Sequence, residues 1–148
     1  MISMSEILKN RAQLEDLSPQ IQQNLAILLE RINKVRSEWA KPLKVNDGLR
    51  ITSGGGAVHS NHLIGAAIDI DDDSQGTLWK WLMQDEQMQL LKDVGLWVEH
   101  GNYTHNTSGT WIHFQIYPPN SHKRIYVPSL SPDPNPIFWS GKYSSKFD

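Results

Sequence analysis

The sequence of 148 residues contains no cysteine, no apolar run long enough to span a bilayer and no block of charge of one sign. Without cysteine there can be neither a disulfide framework nor a thiolate metal site, so any metal must be held by His, Asp or Glu. The formal net charge is −2 and charges of both signs are mixed, which indicates no nucleic-acid or membrane partner. No N-terminal stretch has the pattern of a signal peptide, and we expect a soluble protein made in the cytoplasm.

The first 42 residues carry helical patterns. Ser18 followed by Pro19 is typical of a helix start, because the serine can cap a free N–H group and proline lacks one. From there to Trp39 apolar residues recur at steps of three and four, and Pro42 ends the pattern. Such a stripe either docks a partner or covers the chain's own core, and we expect the latter. The length predicts a single domain over residues 1–148.

Strands and helices alternate in the rest of the chain. After a turn at residues 46–48 we expect strands at residues 49–52, 66–71, 96–100, 111–117 and 124–127, the last at a sheet edge. Strands 96–100 and 111–117 should pair as an antiparallel hairpin. Between the strands at 66–71 and 96–100, residues 78–94 predict one or two helices, which Gly95 ends. The acidic run at residues 71–76 lacks the glutamate of a calcium loop, so we interpret it as a turn whose acids favour the next helix start.

Two histidines and an aspartate are candidate metal ligands. Alternation places Asp69 and His113 on the polar faces of their strands, because the isoleucines beside them should enter the core. His62 follows a glycine-rich loop at residues 54–56 and precedes Asp69 by seven residues. Zinc accepts imidazole and carboxylate ligands, so these side chains predict a Zn²⁺ site with one position open for water. Glu99 could look onto the same site, but periodicity leaves open which face it takes.

The segment that begins at Ser60 resembles the first zinc motif of the D-Ala-D-Ala carboxypeptidase and L-Ala-D-Glu endopeptidase family. That motif reads Ser-x-His-x-x-Gly-x-Ala-x-Asp, and its five fixed positions are occupied here by Ser60, His62, Gly65, Ala67 and Asp69. The run Trp111-Ile112-His113 is similar to the family's second motif, and the segment after it is similar to bacteriophage versions. The resemblance covers residues 45–127. It leaves out the helical residues 1–42 and an irregular tail, residues 128–148, which we expect to lie along the surface.

This resemblance implies a small α+β domain, in which an antiparallel sheet carries the zinc ion and packs against N-terminal and central helices. It also implies a zinc metallopeptidase that cleaves peptide bonds in bacterial peptidoglycan stem peptides, as a carboxypeptidase or an endopeptidase. A phage-type member would be made in the cytoplasm of an infected host. It would act at the cell wall after release or as part of a virion.

The chain departs from the family pattern at two places. The catalytic acid usually stands three residues before the third ligand, where this chain has Thr110, which cannot act as a base at neutral pH. A Tyr-Arg pair that usually precedes the Gly-Gly-Ala run is missing. We therefore predict Glu99 as the general base, with His105 as a weaker alternative. Arg50 or Arg124 would replace the missing arginine.

Further residues receive roles from their positions in or beside the motifs. The residues predicted to contact substrate are Arg50, Ser60, His105 and Trp111. Ser60 and Gln115 are also candidates to orient the imidazoles. Trp97 and Trp111 could either line the cleft or pack in the core. Three more histidines are expected to be loop or strand-end residues in contact with solvent: His59, His100 and His122.

Two classes of function follow. The first is a zinc peptidase, which the complete first motif favours. The second is a catalytically degenerate zinc-binding module, structural or cell-wall-binding, as in the related hedgehog signalling domain. Thr110 and the missing Tyr-Arg pair favour the second class. We predict the peptidase.

Overall fold

The computed structural model describes residues 1–52 and 60–128. The predicted glycine-rich loop, His59 and nearly all of the predicted tail lie outside these residues. The described part is an α+β fold with three short 3-10 helices, at Leu14–Asp16, Asn61–Ile64 and Gly101–Tyr103. Its α-helices are α1 (Met4–Leu8), α2 (Pro19–Trp39), α3 (Thr77–Leu82) and α4 (Asp85–Val94). Its strands are β1 (Val45–Asp47), β2 (Ala67–Asp72), β3 (Trp97–Glu99), β4 (His105–Asn106), β5 (Gly109–Gln115) and β6 (Ile125–Tyr126).

The strands form one sheet in the order β1-β2-β5-β3-β6, with β4 paired to β5. The predicted hairpin of β3 and β5 is confirmed, and the predicted last strand lies at the sheet edge as β6. The sheet is mixed and not purely antiparallel, since β3 and β6 run parallel. β3 is antiparallel to β5. After β5 the chain reverses direction and adds β6 on the far side of β3, so β6 is antiparallel to β5 and parallel to β3.

The prediction of a strand at residues 49–52 is wrong. The strand in this region is β1, and it includes Asn46 and Asp47, which were predicted as a turn. The two arginines that bind the Asp47 carboxylate hold this residue in place. Beyond it, the Leu49 N–H donates to the carbonyl of Ile7 at 2.9 Å. The backbone after β1 therefore bonds to α1 and does not form a further strand.

Helix α2 begins and ends as the sequence predicts. The Ser18 hydroxyl accepts a hydrogen bond from the Ile21 N–H, and Ala40 ends the helix in the left-handed conformation. The apolar stripe is buried in the domain's own core through Leu25, Leu28, Ile32 and Val35. The stripe is thus a core face, as expected. In the described ranges, no helix has both the length and the apolar character needed to cross a membrane.

The central helices also follow the predicted signals. The Asp72 and Asp73 carboxylates accept hydrogen bonds from backbone N–H groups at the start of α3, which confirms that the acidic run supports a helix start. The turn itself is shorter than predicted, because Asp71 and Asp72 belong to β2. The helical region divides into α3 and α4. Gly95 ends α4 with φ of +82°, a conformation that glycine adopts without strain.

Alternation along β2 and β5 separates a core face from an open face. Ile68, Ile70, Ile112 and Phe114 are buried completely or nearly so on the core face. The pairing of β2 with β5 sets Asp69 opposite His113. Because β-strand side chains alternate, both then lie on the face away from those apolar residues. The candidate site forms on this open face.

Candidate metal centre

His62, Asp69 and His113 meet on the open face of the sheet. His62 Nε2 lies 3.3 Å from Asp69 Oδ1, and His113 Nδ1 lies 2.9 Å from the same oxygen. One ligand atom from each residue falls within 4.8 Å of the others, so the group could hold a metal ion. The side chains of the three residues are 3%, 8% and 12% exposed. The sequence therefore identified three residues that the fold brings together.

The 3-10 turn at Asn61–Ile64 positions His62, and the fixed motif residues explain this turn. The Ser60 hydroxyl accepts a hydrogen bond from the His62 N–H at 3.2 Å and caps the turn. Gly65 ends it with φ of +71°, and a Cβ atom there would lie 2.8 Å from Leu25 Cγ of α2. Glycine is thus required both for the backbone conformation and for the close approach of the helix.

The two imidazoles present different nitrogens to the centre. His62 Nδ1 lies 2.8 Å from the Gly48 carbonyl oxygen. A carbonyl can only accept, so Nδ1 donates its hydrogen there and Nε2 is left as the ligand atom. His113 is reversed, since its Nε2 lies 2.9 Å from Gln115 Oε1 and its Nδ1 points at Asp69. Each ring is held by a hydrogen bond on the side away from the centre, as is usual for metal-binding histidines.

A buried aspartate that sequence reasoning missed supports this arrangement. Asp47 Oδ1 lies 2.6 Å from Arg11 Nη1, and Asp47 Oδ2 lies 2.5 Å from Arg50 Nε. Burial would raise the pKa of the Asp47 carboxyl, but hydrogen bonds from Arg50 and Arg11 hold it below its usual range. The pair of arginines thereby holds the backbone around Gly48, whose carbonyl orients His62. No sequence pattern links Arg11 to a residue 36 positions away.

Replacement of Gly48 by alanine should disturb both the fold and the centre. A Cβ atom at this position would lie 2.2 Å from the Ile7 carbonyl oxygen, which is backbone of α1 and cannot swing aside. We expect a loss of about 2 kcal/mol in the free energy of unfolding, as for other overpacked sites. Zinc binding should also weaken because the carbonyl that holds His62 moves. Thermal unfolding and zinc titration measure these effects, and unchanged values for both would contradict the assignment.

Charge interactions hold Asp69 and His113 as an ion pair when no metal is bound. Burial would raise the pKa of Asp69, but hydrogen bonds from His113 and His62 outweigh it and lower that pKa well below its usual range. Burial would lower the pKa of His113, but Asp69 outweighs it and raises that pKa to about 9. At neutral pH the metal-free centre therefore contains a protonated His113. A metal ion must displace this proton to bind Nδ1.

The raised pKa of His113 predicts opposite pH dependences for stability and metal binding. Its unfolded pKa is 6.5 and its folded pKa is about 9. The contribution of the ion pair to stability is therefore complete below pH 6.5 and declines as the pH rises through 9. Zinc affinity should rise over the same window by up to about tenfold per pH unit, since one proton is displaced. Thermal unfolding with chelator and zinc titrations from pH 6 to 9 test this. Metal-free stability that rises over this window would contradict it.

The sheet register decides the orientation of Glu99. Its neighbour Val98 pairs with Phe114, and both are fully buried on the core face. Glu99 and Trp97 must therefore take the open face, the one that carries His113. Burial raises the pKa of Glu99, while the charge of His113 lowers it and that of Asp69 raises it. The register with β5 thus sets Glu99 on the same face of the sheet as His113.

A polar cleft of about 630 Å³ opens beside the centre. One wall comes from β1, β2 and the residues that flank β1, and the other from the β4–β5 hairpin. Of the predicted substrate residues, Arg50 and Trp111 line it, together with Asp69 and Thr110. The Arg50 side chain is 28% exposed, and its Nη2 lies 3.8 Å from Asp69 Oδ2.

Glu99, the predicted base, is not among the residues that line the cleft, and neither are three candidates for substrate binding. His105 is exposed on β4 and pairs with Thr110. Arg124 donates to the Leu96 carbonyl at 2.9 Å, and its guanidinium lies 4.2 Å from the centre of the Trp97 ring. The Ser60 hydroxyl contacts the backbone of His62, as described above.

The solvated position predicted for His100 is wrong. This residue is 4% exposed, and its ring lies 5.3 Å from that of Trp79 in an edge-on contact. Burial lowers the pKa of His100 to about 4, so the ring is neutral at physiological pH. The start of α3 covers the end of β3, which no local pattern could indicate. His122 is exposed, as expected.

An α+β domain that gathers two imidazoles and a carboxylate beside a polar cleft has the donor set of a metal-dependent hydrolase. A family model described as peptidase M15 matches residues 2–107, which is more than half of the chain. The chain therefore belongs to the peptidase M15 family, whose members are zinc-dependent. No curated protein matches the sequence.

The match differs from the motif resemblance, which covered residues 45–127, at both ends. The match begins at residue 2, so it includes α1 and α2, which the motif resemblance had left out. It ends at residue 107, before His113. His113 therefore lies outside the matched segment, and the pairing of β2 with β5 brings it next to Asp69.

Proposed function

We propose that this chain is a zinc metallopeptidase that hydrolyses peptide bonds in bacterial peptidoglycan stem peptides. The reaction would be that of a D-Ala-D-Ala carboxypeptidase or an L-Ala-D-Glu endopeptidase. The observation that carries the proposal is the convergence of His62, Asp69 and His113 beside a polar cleft, in a chain of the M15 family. The resemblance of the first motif to that of peptidoglycan peptidases supports the substrate class.

The chemistry of the donor set fits zinc. Catalytic zinc sites commonly have three protein ligands drawn from His, Asp and Glu, and leave one position open. His62 would contribute Nε2, His113 would contribute Nδ1 and Asp69 a carboxylate oxygen. When bound, the ion would polarise a peptide carbonyl and lower the pKa of a water molecule to about 7.

Glu99 would act as the general base. It would accept the proton of the attacking water and return it to the leaving amine. Its position on the open face, next to His113 in the sheet, supports this role. So does its partial burial, which raises its pKa and makes it a more effective base near neutral pH.

Arg50 would bind a carboxylate or carbonyl group of the substrate. Its Nε is held by Asp47 while part of the guanidinium stays exposed in the cleft, so the group is oriented before substrate arrives. Arg124 is less suited, because its guanidinium is held by the Leu96 carbonyl and the Trp97 ring. Trp111 would line the path of the peptide. Ser60 would act on His62 and not on the substrate.

The resemblance to bacteriophage sequences supports a biological setting. We propose that the protein is phage-encoded and made in the cytoplasm of an infected host. It would reach peptidoglycan after release at lysis or as a component of the virion. Its partner would be the stem peptide, with no nucleic acid or membrane involved.

A second function is favoured by Thr110. This residue lines the cleft at the position where the family usually has its catalytic acid. If no other carboxylate acts as the general base, the domain would bind zinc and keep its cleft but would not cleave peptides. It would then be a structural or cell-wall-binding module.

Metal analysis followed by digestion of purified peptidoglycan tests both functions. For the peptidase we expect about one zinc ion per chain and release of new amino groups, with mass spectrometry of the fragments to identify the bond. His62→Ala should lose zinc and cleavage, and His122→Asn, at an exposed turn residue, should keep both. Bound zinc and retention on peptidoglycan without cleavage would support the module. Absence of zinc binding would overturn both functions.

A further inference from the structure

The side chain of Gln115 connects His113 to the last strand of the sheet. Gln115 lies two residues after His113 on β5 and is 5% exposed. Its Oε1 lies 2.9 Å from His113 Nε2 and 2.6 Å from the Tyr126 hydroxyl. Its Nε2 lies 2.8 Å from the Tyr117 carbonyl oxygen. The carboxamide therefore makes three hydrogen bonds in a buried position.

These contacts allow only one orientation of the carboxamide. A carbonyl oxygen cannot donate, so the NH₂ end of Gln115 must face Tyr117 and the oxygen must face His113. Burial raises the pKa of Tyr126, so its hydroxyl stays protonated and donates to that oxygen. His113 Nε2 must then donate as well. The hydrogen of the neutral ring is thereby placed on Nε2, which leaves the lone pair of Nδ1 for a metal ion.

Tyr126 reaches this position because β6 adds to the sheet edge in parallel. Ile125 pairs with Val98, and the Tyr126 carbonyl accepts a hydrogen bond from the His100 N–H at 2.9 Å. The Tyr126 residue is 8% exposed. Residues 125–126 lie outside the segment that the family model matches. The edge strand thus adds a buried hydroxyl to the shell around the metal centre.

We propose that Tyr126 is a positioning residue for the metal centre. Its hydroxyl and the Tyr117 carbonyl fix the carboxamide of Gln115, and this carboxamide holds His113 with Nδ1 toward the metal. Without the hydroxyl, the Gln115 carboxamide loses one of its three hydrogen bonds and rotates more freely about χ3. Its oxygen then holds His113 less firmly. The inference rests on the proposed zinc site but not on peptide cleavage.

A buried tyrosine hydroxyl could instead serve only the stability of the fold, and the chain offers a control for this possibility. Asn33 on α2 donates from Nδ2 to the Ile2 carbonyl oxygen at 2.9 Å, and its Oδ1 accepts from the Ile2 N–H at 2.8 Å. These bonds join α2 to the N-terminal residues and involve no residue of the metal centre. Asn33→Ala and Tyr126→Phe therefore both remove hydrogen bonds between elements of the fold, but only the second change removes a bond that leads to His113.

Zinc dissociation constants from chelator competition test the proposal on the full chain. Tyr126→Phe should bind zinc about tenfold more weakly, as for other outer partners of metal ligands. Asn33→Ala should bind as the wild type does. A second readout is solvent exchange of the His113 Nε2 proton in the zinc-loaded protein, measured by NMR, which should be faster in Tyr126→Phe alone.

Several outcomes would overturn the inference. Unchanged zinc affinity and proton exchange in Tyr126→Phe would do so, as would equal weakening by Asn33→Ala. If Tyr126→Phe does not fold, Gln115→Met decides, since it removes the acceptor itself and should weaken zinc binding at least as much. Failure of the proposed peptidase function would show separately, as a lack of cleavage by zinc-loaded wild-type protein.

Discussion

Replacement of His113 by alanine is expected to abolish tight zinc binding and, with it, peptide cleavage. The residue offers one of three ligand atoms gathered at the centre. Loss of an outer partner of a metal ligand already costs 10–100-fold in affinity, so loss of a ligand should cost more than about a hundredfold. The decline in metal-free stability between pH 6.5 and 9 should also disappear, because His113 is the group that titrates there. Zinc titration and chelator-treated thermal unfolding measure both effects.

His122→Asn is a suitable control for this experiment. His122 is exposed and has φ of +56°, a conformation that asparagine tolerates well. The control should match the wild type in zinc affinity and in pH dependence. Tight zinc binding by His113→Ala would reject the proposed centre.

Glu99→Gln should lower the turnover number by roughly 10²–10⁴-fold while zinc stays bound. The change keeps the shape of the side chain and removes the proton acceptor, and general-base catalysis usually contributes an effect of this size. In the wild type, the acidic limb of the pH–activity profile should lie above the usual glutamate range, because burial raises the pKa of Glu99. The amide variant should lack that limb. Steady-state kinetics on a stem-peptide substrate across pH 4–9 provides the measurement.

Glu38→Gln is the matched control, since Glu38 is an exposed glutamate on α2. It should leave the turnover number and the pH profile unchanged. Activity of Glu99→Gln close to that of the wild type would reject Glu99 as the base. In that case another group must take the role that Thr110 cannot perform.

Local patterns in the sequence were sufficient for the helices and for the faces of the long strands. The Ser18-Pro19 start, the apolar stripe of α2 and the end of α4 at Gly95 all involve residues within a few positions of one another. The alternation that separates Asp69 from its neighbouring isoleucines is equally local. These features follow from the 3.6-residue and two-residue periods of helices and strands, and the structure confirms them.

Contacts between distant parts of the chain could not be predicted in this way. The strand predicted at residues 49–52 is absent because α1 and two arginines hold the backbone near Asp47. The burial of His100 depends on Trp79, which lies on a different element. The side of the sheet that Glu99 faces depends on its register with β5.

By itself, the sequence determined the family motif, the three residues of the candidate centre and the main helices. The first motif specifies His62 and Asp69 at short spacing, which has few possible geometries, and alternation along its own strand placed His113 on the polar face. The tertiary structure alone decided which nitrogen each histidine presents, that Arg11 and Asp47 support His62, and that Tyr126 reaches the shell around His113. Hydrogen bonds of this kind join residues that only sheet pairing and helix packing bring together, so their partners cannot be deduced from spacing along the chain.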